Sequence, residues 1–377
     1  MNAESAWLPA TFFEALPKVE LHCHLLGTVQ RATLGDWVRR EKASISDDEI
    51  EAFYTRGDKP VGVLRVLRAL ERELMRHADD LARLTREYLA AAAAHNVRHA
   101  EFFWNPTGAV RDSGIAYADG LAAIAEAMRE AERTFGITSR LIPAIDREGS
   151  PREALEMVQW VVDGERHRRG FEPVVAGIGI DYRENERPPE LFTEAYALAR
   201  RHALKTTAHA GEFGMPWVNV RTAVELLQVD RIDHGYTVVD AARDEPAAAR
   251  AFIARCAERG VVFTVVPTNS YYLRTLPRER WALDHPIRFM PGLGIAVHPN
   301  TDDPTLHRVT PSQAWQKMHE DFGFGVDDLR AFMRHGLEAA WVDEALRRAW
   351  RMPFEEAFAR ALEGARRRMS EPGPGEV

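Results

Sequence analysis

The chain has 377 residues, enough for one large α/β barrel or two ordinary domains, and its 45% hydrophobic and 28% charged residues describe a globular protein. Lys+Arg 49 against Asp+Glu 57 leaves a formal charge of −8, which excludes a basic field for nucleic acid or an anionic membrane surface and points to a small-molecule partner. Two cysteines, Cys23 and Cys256, argue against a disulfide framework and cannot build a cysteine zinc site, so a metal here must be held by histidine and carboxylate.

Met1 to Phe13 carry no basic region followed by an apolar one, and no apolar run is long enough to span a bilayer, so the expected location is the cytoplasm. From there, eight strand-like apolar runs follow in chain order, at 19–24, 97–104, 138–145, 174–181, 204–209, 231–234, 261–266 and 294–299. Helical patterns separate them, at 79–95, 117–135, 151–168, 189–202, 219–227 and 246–259. Strand alternating with helix implies parallel strands, and eight such units imply closure into a (β/α)₈ TIM barrel. Two stretches break the rhythm. Residues 30–76 form a charged, helical insertion after the first strand, with Arg56-Gly57-Asp58-Lys59-Pro60 as a breaker, and are expected to cap the barrel mouth. Residues 311–367 add helices after the last strand. The expected organisation is one domain over 1–370 and a disordered tail at 371–377.

The first strand reads Val19-Glu20-Leu21-His22-Cys23-His24. Alternate side chains of a strand face the same way, so His22 and His24 point together and Cys23, a small buried hydrophobe, points away. Taken alone, such a pair is as readily a structural feature as half a metal site. Three later strand ends supply companions: His209-Ala210-Gly211-Glu212, Asp233-His234-Gly235 and Asn300-Thr301-Asp302-Asp303-Pro304. Ionisable residues at the ends of several strands are how a barrel active site looks in sequence.

Three imidazoles and a carboxylate suit Zn²⁺, and the metal is assigned to His22, His24, His209 and Asp302. Glu212, three residues past His209, is placed to protonate a ring nitrogen without touching the metal. His234 is left to hold and deprotonate water, and Asp303 to accept a hydrogen bond from water or substrate. The bland alternatives are plain: the Thr-Asp-Asp-Pro stretch is also an ordinary turn, His298 and His307 read as core or solvated histidines, and Tyr271-Tyr272 as packing.

Four segments, Leu16-Pro17-Lys18-Val19-Glu20-Leu21-His22-Cys23-His24, Ala208-His209-Ala210-Gly211-Glu212, Arg231-Ile232-Asp233-His234-Gly235 and Asn300-Thr301-Asp302-Asp303-Pro304, resemble in order the motifs of the adenosine/adenine deaminase family, zinc-dependent aminohydrolases of purines. The resemblance implies a zinc-bearing barrel and the same roles for His22, His24, His209, Asp302, Glu212, His234 and Asp303. Departures concern the substrate. Leu26 stands where family members commonly carry an acidic residue that can reach a sugar hydroxyl. Asp181-Tyr182-Arg183-Glu184 replaces a small Ala-Gly pair after the aspartate of strand four, and Arg183 and Glu184, with Gly211, are the expected substrate contacts. Asp233 is more reminiscent of the adenine-type members, and Val266-Pro267-Thr268-Asn269 differs from the pattern of both.

The expected reaction is hydrolytic deamination of an adenine-type purine. The alternatives are adenine itself, a modified adenine nucleoside or another aminated heterocycle, and a non-catalytic nucleoside-binding relative, which the intact Glu212 and His234 disfavour. Cysteine-ligated deaminases of nucleic acids are excluded by the cysteine positions. Phosphate-cradling enzymes are disfavoured because no GxxxxGK[ST] segment is present.

Overall fold

A computed structural model describes residues 7–55, 63–167 and 174–370. The breaker at 56–60 and the tail at 371–377 lie outside the described residues. Eight parallel strands, β1 (Lys18–Glu20), β2 (Val97–Trp104), β3 (Thr138–Asp146), β4 (Gly177–Asp181), β5 (Lys205–Ala210), β6 (Arg231–His234), β7 (Val262–Val265) and β8 (Val297–Pro299), pair in sequence order. Parallel neighbours need a crossover, and each is made by chain that runs outside the sheet. The helix Tyr117–Phe135 shows why such a segment packs there: Leu121, Ile124, Ala125, Met128 and Ala131 recur at helical spacing and are buried.

The first strand is shorter than its sequence pattern suggests. It ends at Glu20, and His22 and His24 follow in extended chain that still pairs, Cys23 bridging to Asp302 and His24 to Phe103. This is where the barrel closes. The Leu21 N–H donates to the Asn300 side chain at 2.8 Å, Asp302 N–H to the His22 carbonyl at 3.0 Å and His24 N–H to the Asp302 carbonyl at 2.8 Å. A side-chain amide thus replaces a ladder bond, which interrupts the regular strand while leaving the alternation of side chains intact.

The register places chemistry at one end. His209 lies opposite Asp233 and Ala210 opposite His234 across β5 and β6, and Asp146 lies opposite Asp181 across β3 and β4. The insertion after β1 forms helices Arg31–Glu41, Asp47–Tyr54 and Val63–Ala69, continued by a wider turn over Leu70–Leu74. Its residues Val63, Leu64 and Leu67 wall the cavity at the strands' C-terminal ends, as a cap would. Helices Pro311–Glu320, Val326–Ala339 and Glu344–Ser370 follow β8.

Candidate metal and catalytic site

Four side chains converge from β1, β5 and β8. The Nε2 atoms of His22 and His24 each lie 3.1 Å from Nε2 of His209, and Asp302 Oδ1 lies 3.6 Å from His22 Nε2 and 3.3 Å from His24 Nε2. A tetrahedral ion about 2.0–2.1 Å from each ligand spaces the ligands about 3.3 Å apart, so these separations fit one ion.

The outer nitrogens fix which atoms face inward. His209 Nδ1 lies 3.2 Å from Asp233 Oδ2 and His24 Nδ1 lies 3.5 Å from Asp181 Oδ2. His22 Nδ1 lies 3.1 Å from the Thr264 hydroxyl, which itself donates to Asp233 at 2.7 Å. A carboxylate only accepts, so Nδ1 of His209 and of His24 carries a proton, and Nε2 is the atom each ring turns toward a metal. Burial would raise the Asp233 carboxyl, but His22, His209 and Arg231 hold it well below the usual carboxylate range.

Across the cavity sit the two groups that could move protons. Burial pushes the Glu212 carboxyl well above its ordinary value, and the nearby Asp302 and Glu184 carboxylates push the same way. Asn269 donates to Glu212 Oε1 at 2.9 Å, and Glu212 Oε2 lies 3.5 Å from His234 Nε2. His234 is fully buried, and that burial, with His22 and His209 beside it, pushes its pKa well below normal. Both shifts favour the uncharged forms, a carboxylic acid beside a neutral imidazole. Nε2 of His234 has no hydrogen-bond partner among the described residues, which suits a base facing water.

Gly211, an expected substrate contact, does not line the cavity: it has φ +67, and a Cβ there would meet Thr237 Oγ1 at 2.5 Å. At Gly27 a Cβ would lie 1.9 Å from Asp303 Oδ1, so the missing side chain lets that carboxylate, 2% exposed, reach the cavity wall. The cavity measures about 410 Å³ and is lined by His24, His209, Glu212, His234, Asp302 and Asp303 at its floor. That is the size range of small-molecule sites.

Some sequence expectations are redirected. Arg183 lines the cavity rim, 67% exposed and 3.6 Å from Glu148. Glu184 does not line the cavity: it is 1% exposed and turned behind the Gly211 loop, because Tyr182 adopts φ +65 and rotates the chain there. His307 is buried, as a core histidine is, and it also lines the cavity, 3.8 Å from Asp303, as does Tyr271. Cys23 and Cys256 are buried free thiols. The reading of motifs missed Asp181, Thr264 and Asn269. Asp181 and Asn269 close strand ends in the same way as the chosen residues, and that was the available signal.

Residues 17–355 match the Adenosine deaminase family. The adenine deaminase of Sphingopyxis alaskensis is 31% identical over 348 residues, covering 89% of this chain and 93% of that protein. The adenine deaminase of Chlorobium luteolum is 33% identical over 299 residues, covering 78% and 80%. Among solved structures, an amidohydrolase from Burkholderia ambifaria with bound zinc has a TM-score of 0.89 at 59% identity, covering 94% of both chains. The adenine deaminase of Arthrobacter aurescens has a TM-score of 0.78 at 26% identity, covering 92% of this chain and 99% of that one. Among the described residues no helix is long and apolar enough to cross a membrane. Matched along most of its length, and carrying its donor cluster at the C-terminal mouth of an eight-stranded barrel, the chain belongs to the adenosine deaminase family.

Proposed function

We propose that this protein is a zinc-dependent aminohydrolase that replaces the amino group of an adenine-type purine with oxygen, and that adenine itself is the substrate, giving hypoxanthine and ammonia. The observation that carries the reading is geometric: buried Glu212 and His234, 3.5 Å apart, face four convergent donors in one cavity.

His22, His24 and His209 through Nε2, and Asp302 through Oδ1, are the residues that hold the ion. Zinc, when bound there, supplies the Lewis acidity that brings the pKa of water from about 15.7 to about 7. Glu212 donates its proton to the ring nitrogen beside the amino-bearing carbon, which makes that carbon electrophilic. Such positioned transfer is typically worth about 10²–10⁴ in rate. His234 takes the proton of the attacking water through Nε2. Asp303 accepts a hydrogen bond from the purine or the departing amine.

Adenine is favoured because Leu26 is buried, lies outside the cavity lining and offers no carboxylate to a sugar. The named relatives at 31% and 33% identity are adenine deaminases. Arg183 and Arg274 at the cavity rim support a second reading, a purine carrying a larger substituent that Arg183 contacts. A cytoplasmic location belongs to the same proposal and is checked by cell fractionation. Ammonia release from adenine, adenosine and substituted aminopurines, by wild type and Arg183→Ala, tests the substrate. Fastest turnover of adenine, with a profile unchanged in the variant, supports the first reading. A substituted purine that leads in wild type and loses its lead in Arg183→Ala supports the second. Silence on every purine defeats both.

A further inference from the structure

Glu184 sits between Arg183 and Asn185, which both line the cavity, yet its own carboxylate turns away from it. Its oxygens are taken up by the loop that follows β5. Oε2 accepts from the Gly211 N–H at 2.9 Å, the N–H of Glu212 also points at the carboxylate, and Oε1 accepts from the Asn219 side-chain amide at 2.8 Å. Two successive backbone N–H groups on one carboxylate form an anion-binding turn, here filled by the protein's own side chain. From the other side, fully buried Arg147 donates through Nη1 to the His209 carbonyl at 2.8 Å and faces Glu184 as its countercharge. Gly211 packs closely there, since Thr237 and Val220 fill the space a side chain would need.

We propose that Glu184 is a positioning residue for the reaction: with Arg147 it clamps the backbone of residues 209–212, so that His209 and Glu212 keep a fixed separation across the reacting carbon. It does not touch the substrate. The clamp acts on the residue that carries the proton, through that residue's own N–H. A misplacement of about 1 Å in a reacting group costs about 10²-fold in rate. This inference rests on the deaminase reading above.

Glu184→Ala removes the acceptor for both N–H groups. In that variant kcat for the best purine falls about 10²-fold, while KM, the ranking of purines and zinc content stay within twofold of wild type. Glu184→Gln keeps an oxygen for the Gly211 N–H and recovers most of kcat. A raised KM at unchanged kcat, or an altered ranking of purines, overturns the proposal by placing Glu184 at the substrate. An unchanged kcat in folded Glu184→Ala overturns it as well. Where Glu184→Ala does not fold, Asn219→Ala strips one partner from the same carboxylate and leaves its charge. A several-fold loss in kcat at constant KM supports the clamp there, and wild-type kcat overturns it. A wild-type enzyme silent on every purine overturns the deaminase reading and the clamp with it. An active wild type with an equally active Glu184→Ala overturns the clamp alone.

Discussion

Glu101 and Glu212 are both buried glutamates in the same barrel, at opposite ends, and they titrate in opposite directions. At the N-terminal end, Glu101 meets Arg231 at 2.5 Å and His99 at 3.3 Å, with the Trp341 N–H on the same carboxylate and the Arg231 guanidinium 3.7 Å over the Trp341 ring. Burial would raise its pKa, but Arg231 and His99 outweigh that and hold it below the usual value. At the C-terminal end, burial raises the Glu212 pKa, its carboxylate neighbours push the same way, and among the described residues its one partner at ion-pair distance is His234, which burial keeps neutral. Burial pushes both carboxyls up, and only at Glu101 do the neighbours reverse it. The neighbours make the difference between them: one end of the barrel compensates its buried carboxylate, and the other withholds compensation, which favours the protonated form.

Glu212→Gln should break the comparison most visibly. The shape stays and the transferable proton goes, so kcat should fall about 10²–10⁴-fold with zinc content unchanged. Ammonia release beside metal analysis checks it, and lost zinc would move Glu212 into the coordination shell. At the other end, Glu101→Gln strands buried Arg231 without its counterion. Breaking such a pair costs about 3–5 kcal/mol, read in urea unfolding, while turnover per folded molecule stays near wild type.

Glu71 lies between the extremes. Burial raises it to about 7, opposed by Arg68 at 3.0 Å and the Tyr182 hydroxyl. Its folded pKa exceeds its unfolded one, so its contribution is full below about 4.5 and is lost as pH rises through about 7. Glu71→Gln does not titrate, and its stability relative to wild type should therefore improve between about pH 5 and pH 8, by about 2–3 kcal/mol. Urea melts of both proteins at the two pH values check it. The smallest effect is expected at Asp233→Asn, which leaves the ligands in place but loosens the hold on His22 and His209. Zinc affinity should fall about 10–100-fold by competition with a chelator.

The same comparison shows what the amino-acid sequence carries. Alternating apolar runs made the eight βα units legible, because parallel strands buried on both faces read as near-continuous apolar stretches. The donor cluster was legible because His22, His24, His209, His234 and Asp302 each close a strand or the chain just beyond it. Glu184 was not, because its direction depends on Tyr182 at φ +65, a conformation no local pattern announces for a bulky residue. The end of β1 was missed because Asn300 substitutes a side-chain amide for a ladder bond 279 residues away.

In the proposed enzyme three imidazoles and an aspartate hold zinc opposite a proton-donating glutamate. Ammonia release from adenine by the purified protein, followed before zinc removal, after chelation and after zinc is restored, tests this most directly. Turnover should disappear with the metal and return with it. Turnover that survives complete removal of zinc would contradict it.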